Sequence, residues 1–90
     1  MNDENLVTLR QEIEKIDRNI IEGLQKRISL VREIGLMKKD LGLGVLDEER
    51  ERELMAKYRD FAKELGVNTD LVAGIFRQII EQSKKEQEVI

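Results

Sequence analysis

Ninety residues are expected to make one domain, near the size at which a lone hydrophobic core is marginal. The absence of cysteine and histidine excludes a disulfide framework, a thiolate nucleophile, sulfur-ligated metal and the commonest acid–base group near neutral pH. A net charge of −3, with 39% charged and 3% aromatic residues and no proline, argues against nucleic acid and reads as the composition of long helices.

The N-terminus, MNDENLVTLR, is acidic and lacks an apolar h-region, so no secretory signal is expected. No run of about 18 apolar residues spans a bilayer. The expectation is a soluble, cytoplasmic, all-α protein that engages neither membrane nor nucleic acid. Asn2, Asp3 and Asn5 offer capping groups ahead of Leu6, and the two acidic residues Asp3 and Glu4 suit the positive end of a helix dipole.

A first helix is expected over about residues 6–39. Its apolar stripe is Leu6, Leu9, Ile13, Ile16, Ile20 and Leu24, then Val31, Ile34 and Leu41, stepping by threes and fours along one face. Such a helix is about 51 Å long at 1.5 Å per residue, more than a compact chain of this size covers by itself. A second copy of the protein is the expected cover. Gly23, inside the helix, costs roughly 1 kcal/mol relative to alanine and suits either a close helix approach or tolerated drift.

Residues 40–46, DLGLGVL, break the pattern with Gly42 and Gly44. Asp47 is then a good N-cap for a second helix over residues 47–65, with Glu48, Glu49 and Glu51 in its first turn. Its inner face is expected to carry Leu54, Tyr58, Phe61 and Leu65, ending at Gly66 as a left-handed cap. Asn68 caps a third helix over residues 69–88, with Val67 and Val72 spaced as a hydrophobic staple. That helix should bury Val72, Ile75, Phe76, Ile79 and Ile80.

Each apolar face turns polar at one end. On the first helix Arg27 and Lys38 stand where the stripe wants hydrocarbon, and burying an unpaired charge is costly. On the second, Asp47, Arg50 and Glu51 precede Leu54; on the third, Ser83 and Gln87 continue the inner line. Each has a plainer reading. Arg27 can snorkel to water or pair with Glu22, Glu33 or Glu51; Arg50 and Glu51 can be a solvated helix start; Ser83 and Gln87 can mark the end of a face. Taken together, two cations, an amide and a hydroxyl on inward lines favour an anion-binding pocket. Without histidine, cysteine or a facing carboxylate pair, that pocket is suited to positioning a substrate and stabilising developing charge. No metal site and no cofactor are expected.

Over nearly its full length the chain resembles the all-helical chorismate mutases. The resemblance rests on LRQEIEKIDRNIIEGLQKR, a basic residue four after Ile34, the DEERERELM block and FRQIIEQSKKEQ, at spacings that need no gap. It implies an intertwined, domain-swapped homodimer in which each long helix crosses both active sites. It also implies the Claisen rearrangement of chorismate to prephenate in tyrosine and phenylalanine biosynthesis. By the same resemblance Arg27 holds one substrate carboxylate and Arg10 of the partner chain the other, through bidentate guanidinium pairing. Lys38 binds the ether oxygen and a carboxylate, and Gln87 donates to the same ether oxygen. Lys38 rather than Lys39 takes this role because it lies 11 residues after Arg27, nearly three whole turns. Glu51 takes the ring hydroxyl, helped by the backbone at Asp47; Ser83 meets a carboxylate and Arg50 orients the cluster.

The nearest rival is an isochorismate-pyruvate lyase of the same fold. A second rival is a helical dimerisation module with no ligand, which predicts that Arg27→Leu stabilises the protein. With three residues after Gln87, no fused dehydratase, dehydrogenase or regulatory domain is expected. Docking onto another shikimate-pathway enzyme would fall on loop 40–46, which borders the pocket.

Overall fold

The computed structural model describes residues 2–88, with the side chain of Asn2 outside the description. The described residues form three helices and no strand: α1 (Asn2–Asp40), α2 (Glu48–Leu65) and α3 (Thr69–Glu88). The chain divides into two compact units at Leu30/Val31, within α1.

In the first unit α1 is already helical at Asn2, so Asp3 and Asn5 lie inside the helix rather than capping it. Nothing in NDEN breaks a helix, and Asp3 and Glu4 favour its first turn. Any cap by Asn2 falls outside the described side chains. The stripe here is open: Leu6, Leu9, Ile13, Ile16 and Ile20 are between 45% and 62% exposed. Fully burying one such side chain is worth about 1.5–3 kcal/mol, so a row of them is a strong drive for association. Gly23 has nothing within 4 Å of an added Cβ; no close approach within this chain explains it.

In the second unit the ends of the helices are set by local chemistry. α1 closes in a Schellman motif: Leu43 N–H donates to the Lys38 carbonyl at 2.7 Å and Gly42 N–H to the Lys39 carbonyl at 3.1 Å. Gly42 has φ +70°, the left-handed region that favours glycine. Gly66, at φ +68°, ends α2 the same way, with Val67 N–H donating to the Ala62 carbonyl at 2.8 Å. Asp47 caps α2 by accepting from Arg50 N–H at 3.0 Å, and Asn68 caps α3 by accepting from Leu71 N–H at 2.9 Å.

α2 and α3 pack as an antiparallel pair, with the Tyr58 and Phe76 rings stacked at 4.1 Å. The buried line differs from the expected one. Ala62 and Ala73 are buried, whereas Phe61, Leu65 and Ile75 are exposed at 54%, 78% and 49%. Small side chains let two helix backbones approach, which turns the larger neighbours outward. Val31 and Ile80 are the other buried hydrophobic side chains among the described residues.

Candidate active site

The apolar face of α3 ends at Ile80, and the polar residues that follow meet the last turns of α1. Gly35 makes that approach possible. A Cβ built there would lie 3.1 Å from Gln87 Cα and 3.3 Å from Gln87 Cβ, so the two backbones are almost in contact. One turn on from Gly35, Lys38 Nζ donates to Gln87 Oε1 at 3.2 Å and to the Val45 carbonyl at 3.1 Å. Both bonds are half-buried, which strengthens them relative to water. With Oε1 engaged by the ammonium, the Gln87 amide nitrogen carries the donors. Lys38 and Gln87 can thus aim N–H groups at one acceptor oxygen, the arrangement that stabilises charge appearing on it.

Arg32 and Glu86 clasp the same crossing. Arg32 Nη2 lies 2.8 Å from Glu86 Oε2, and Gln82 Nε2 donates to Glu86 Oε1 at 3.2 Å. The Gln82 amide and then the Arg32 guanidinium hold the Glu86 carboxyl below its ordinary value of 4.5. A lowered carboxyl contributes stability above its unfolded-state value and loses it as pH falls through the folded one. Thermal melts from pH 7 to pH 3 are therefore expected to show Glu86→Gln levelling part of the acid destabilisation that begins below about pH 4.5 in the wild type. Identical acid limbs would remove the clasp's role.

The remaining residues marked by the sequence take varied places. Glu51, half-buried on the first turn of α2, pairs with Lys84 Nζ at 2.8 Å. Asp47 spends its carboxylate on the α2 cap, and its carbonyl accepts from Glu51 N–H at 3.0 Å. Ser83 Oγ, half-buried, donates to the Ile79 carbonyl at 2.7 Å, the back-bonding common for hydroxyls within helices. Arg50 is about half exposed beside Glu53 at 3.4 Å. In the first unit Arg10 is exposed and Arg27 is half-buried and engaged. The structure thus brings Lys38 to Gln87, whereas Glu51 pairs with Lys84.

Sequence reasoning missed Gly35, Arg32, Glu86 and Lys84. Gly35 carried a usable signal, a glycine inside a strong helix with no turn around it. Gly35→Val is expected to push α1 and α3 apart and lower the melting temperature by several degrees. Gly23→Val, with open space, is expected to change it little; equal shifts for the two would contradict the close-approach role. An open groove of about 730 Å³ also runs along α2 and α3, walled by Glu51, Met55, Ile80 and the arginines Arg52, Arg59 and Arg77. Lys38 and Gln87 are not among its walls. Among the described residues no group of acidic side chains is arranged to hold a metal ion, and no helix is long and apolar enough to cross a membrane.

Residues 9–88 match the family model described as chorismate mutase type II. The chain belongs to this family. The match covers the L-R-x-x-I-x-x-I-D opening at residues 9–17 and the I-I-E-x-S-x-x-x-Q close at residues 79–87. Among similar proteins, the chorismate mutase of Methanocaldococcus jannaschii is 32% identical over 84 residues, 93% of this chain and 85% of that protein. The T-protein of Enterobacter agglomerans is 36% identical over 78 residues, 87% of this chain and 21% of the relative. The bifunctional chorismate mutase/prephenate dehydratase of Buchnera aphidicola subsp. Schizaphis graminum is 37% identical over 79 residues, 88% of this chain and 20% of the relative. Against the T-protein and the bifunctional enzyme, this mutase-family chain thus spans about a fifth of the relative's length.

Proposed function

We propose that the protein is a chorismate mutase, an isomerase that converts chorismate to prephenate in aromatic amino acid biosynthesis. The observation that carries this reading within the family is the half-buried Lys38–Gln87 pair at 3.2 Å. In the rearrangement the ether C–O bond breaks as a C–C bond forms, within one cyclic shift of electrons and with no proton exchanged. Partial negative charge grows on the ether oxygen, and Lys38 and Gln87 meet it with N–H donors that need no reorganisation. Arg27 and Arg10 of a second copy hold the two carboxylates, the Ser83 hydroxyl turns from the Ile79 carbonyl to donate to one of them, and Glu51 accepts from the ring hydroxyl beside the Asp47 backbone. Arg50 orients the cluster. The first unit and the second together form one mutase domain, and the enzyme works in the cytoplasm, where docking onto another shikimate-pathway enzyme would fall on loop 40–46.

The deciding experiment follows chorismate loss spectrophotometrically and identifies the product. Prephenate supports the reading; inertness toward chorismate, with isochorismate giving salicylate and pyruvate, replaces it by the lyase.

The open stripe from Leu6 to Ile20 supports an intertwined homodimer in which Arg10 completes the partner's site. Mixing Arg10→Ala chains with Lys38→Ala chains, each nearly inactive alone, is expected to restore activity. A mixed dimer keeps one site in which both residues are native. If refolded mixtures stay as inactive as their parents, Arg10 does not act across the dimer.

A further inference from the structure

Glu51 and Lys84 are joined across two helices. Lys84 Nζ lies 2.8 Å from Glu51 Oε1 and 3.0 Å from Glu81 Oε1. The Lys84 and Glu51 side chains are only 22% and 29% exposed, against 72% and 59% for the surface pair Lys15–Glu12. Exposed pairs of the latter kind contribute little; a partly sheltered pair bridging α2 and α3 fixes the geometry of both partners. Lys84 also follows Ser83 directly and lies one turn before Gln87. The stretch of α3 that carries two of the site residues therefore also supplies the cation that grips a third. Glu51 and then Glu81 hold the Lys84 ammonium above its ordinary value, so it is charged at neutral pH. One ammonium does not exhaust a carboxylate, whose two oxygens accept several hydrogen bonds.

We propose that Lys84 is a positioning residue for Glu51: from α3 it holds the carboxylate in the direction needed to accept the hydroxyl of a bound substrate. The proposal rests on the mutase reading above. Lys84 acts only through Glu51 and touches no reacting atom. The chain therefore sets its hydroxyl contact by an ion pair between helices rather than by α2 alone.

The test is a double-mutant cycle on the full chain, with steady-state kinetics on chorismate for the wild type, Lys84→Met, Lys84→Arg, Glu51→Gln and Lys84→Met combined with Glu51→Gln. Lys84→Met is expected to raise KM about fivefold with kcat nearly unchanged, and Lys84→Arg to restore most of the loss. In the Glu51→Gln background Lys84→Met is expected to add no further effect, because the group it acts through is gone. Equal losses in both backgrounds overturn the proposal, as does an unchanged KM in Lys84→Met. A wild-type protein inert toward chorismate overturns the mutase reading instead, which separates the two failures.

Discussion

Lys38→Ala is expected to lower kcat by about 10²–10³, the cost of removing one donor aimed at developing charge, about 3–4 kcal/mol. KM should change less, because the ether oxygen carries little charge in the ground state and the interaction grows with the reaction. Lys38→Arg is not expected to rescue the rate. The ammonium is a point donor reaching Gln87 Oε1 and the Val45 carbonyl at 3.2 and 3.1 Å, and a planar guanidinium cannot reproduce those directions in the same half-buried space. Alanine also releases the Val45 carbonyl and loosens the connection between α1 and α2. Lys38→Met, which keeps the packing of the stem, is the better comparison for the chemistry. Near-normal turnover in either uncharged variant would remove Lys38 from the ether oxygen.

Gln87→Glu is expected to make the reaction depend on acid. The wild-type amide has no proton to gain, so its contribution is the same across the neutral range and activity should not climb below pH 6. A carboxylate at position 87 would pair with Lys38 Nζ, taking up the donor that the proposed mechanism directs at the ether oxygen and placing negative charge where that mechanism develops it. Only the protonated acid can donate. Lys38 favours the ionised form of its new neighbour, so activity is expected to return near and below the usual carboxylate value of about 4.3. At neutral pH the loss should approach the same roughly 10²–10³. A rate–pH profile for Gln87→Glu parallel to that of the wild type would mean that residue 87 makes no contact with the reacting oxygen.

These expectations rest on features of unequal visibility in the sequence. Caps were readable because they depend on residues a few positions apart. Asp47, Gly66 and Asn68 each do locally what their type and place imply: an accepting carboxylate, a left-handed backbone, an accepting amide. The α1 stripe was readable because a helical period repeats over many residues, and in the single chain it is exposed. On α2 the expected face holds at Leu54 and Tyr58, which are half-buried, and fails in the single chain at Phe61 and Leu65. Phe61 and Leu65 are large and correctly spaced, yet Ala62 is the residue that packs, because close approach of two backbones rewards small size over hydrophobicity. α1 starts four residues before Leu6 because polar residues that make good caps also make a good first turn.

Lys38 and Gln87 each interrupt an apolar line, and the structure brings them within hydrogen-bond distance. Arg50 and Ser83 interrupt their faces in the same way, and in the single chain Arg50 stands beside Glu53 while the Ser83 hydroxyl donates to the Ile79 carbonyl. Periodicity says which side of a helix a residue occupies; it does not say what stands opposite. Arg32–Glu86 and Glu51–Lys84 were invisible for that reason, since in a chain so rich in both charges many pairings are equally plausible until the helices are docked.

From its residues alone this protein was determined to be helical, poor in proton-transfer chemistry, and provided with cations on apolar seams, since composition and period act through short-range backbone and solvation terms. Tertiary packing alone decided which charges meet, which alanines are buried, and that a glycine at position 35 lets Gln87 stand beside Lys38. Those outcomes depend on distances between segments remote in the chain, which side-chain size and backbone approach set together.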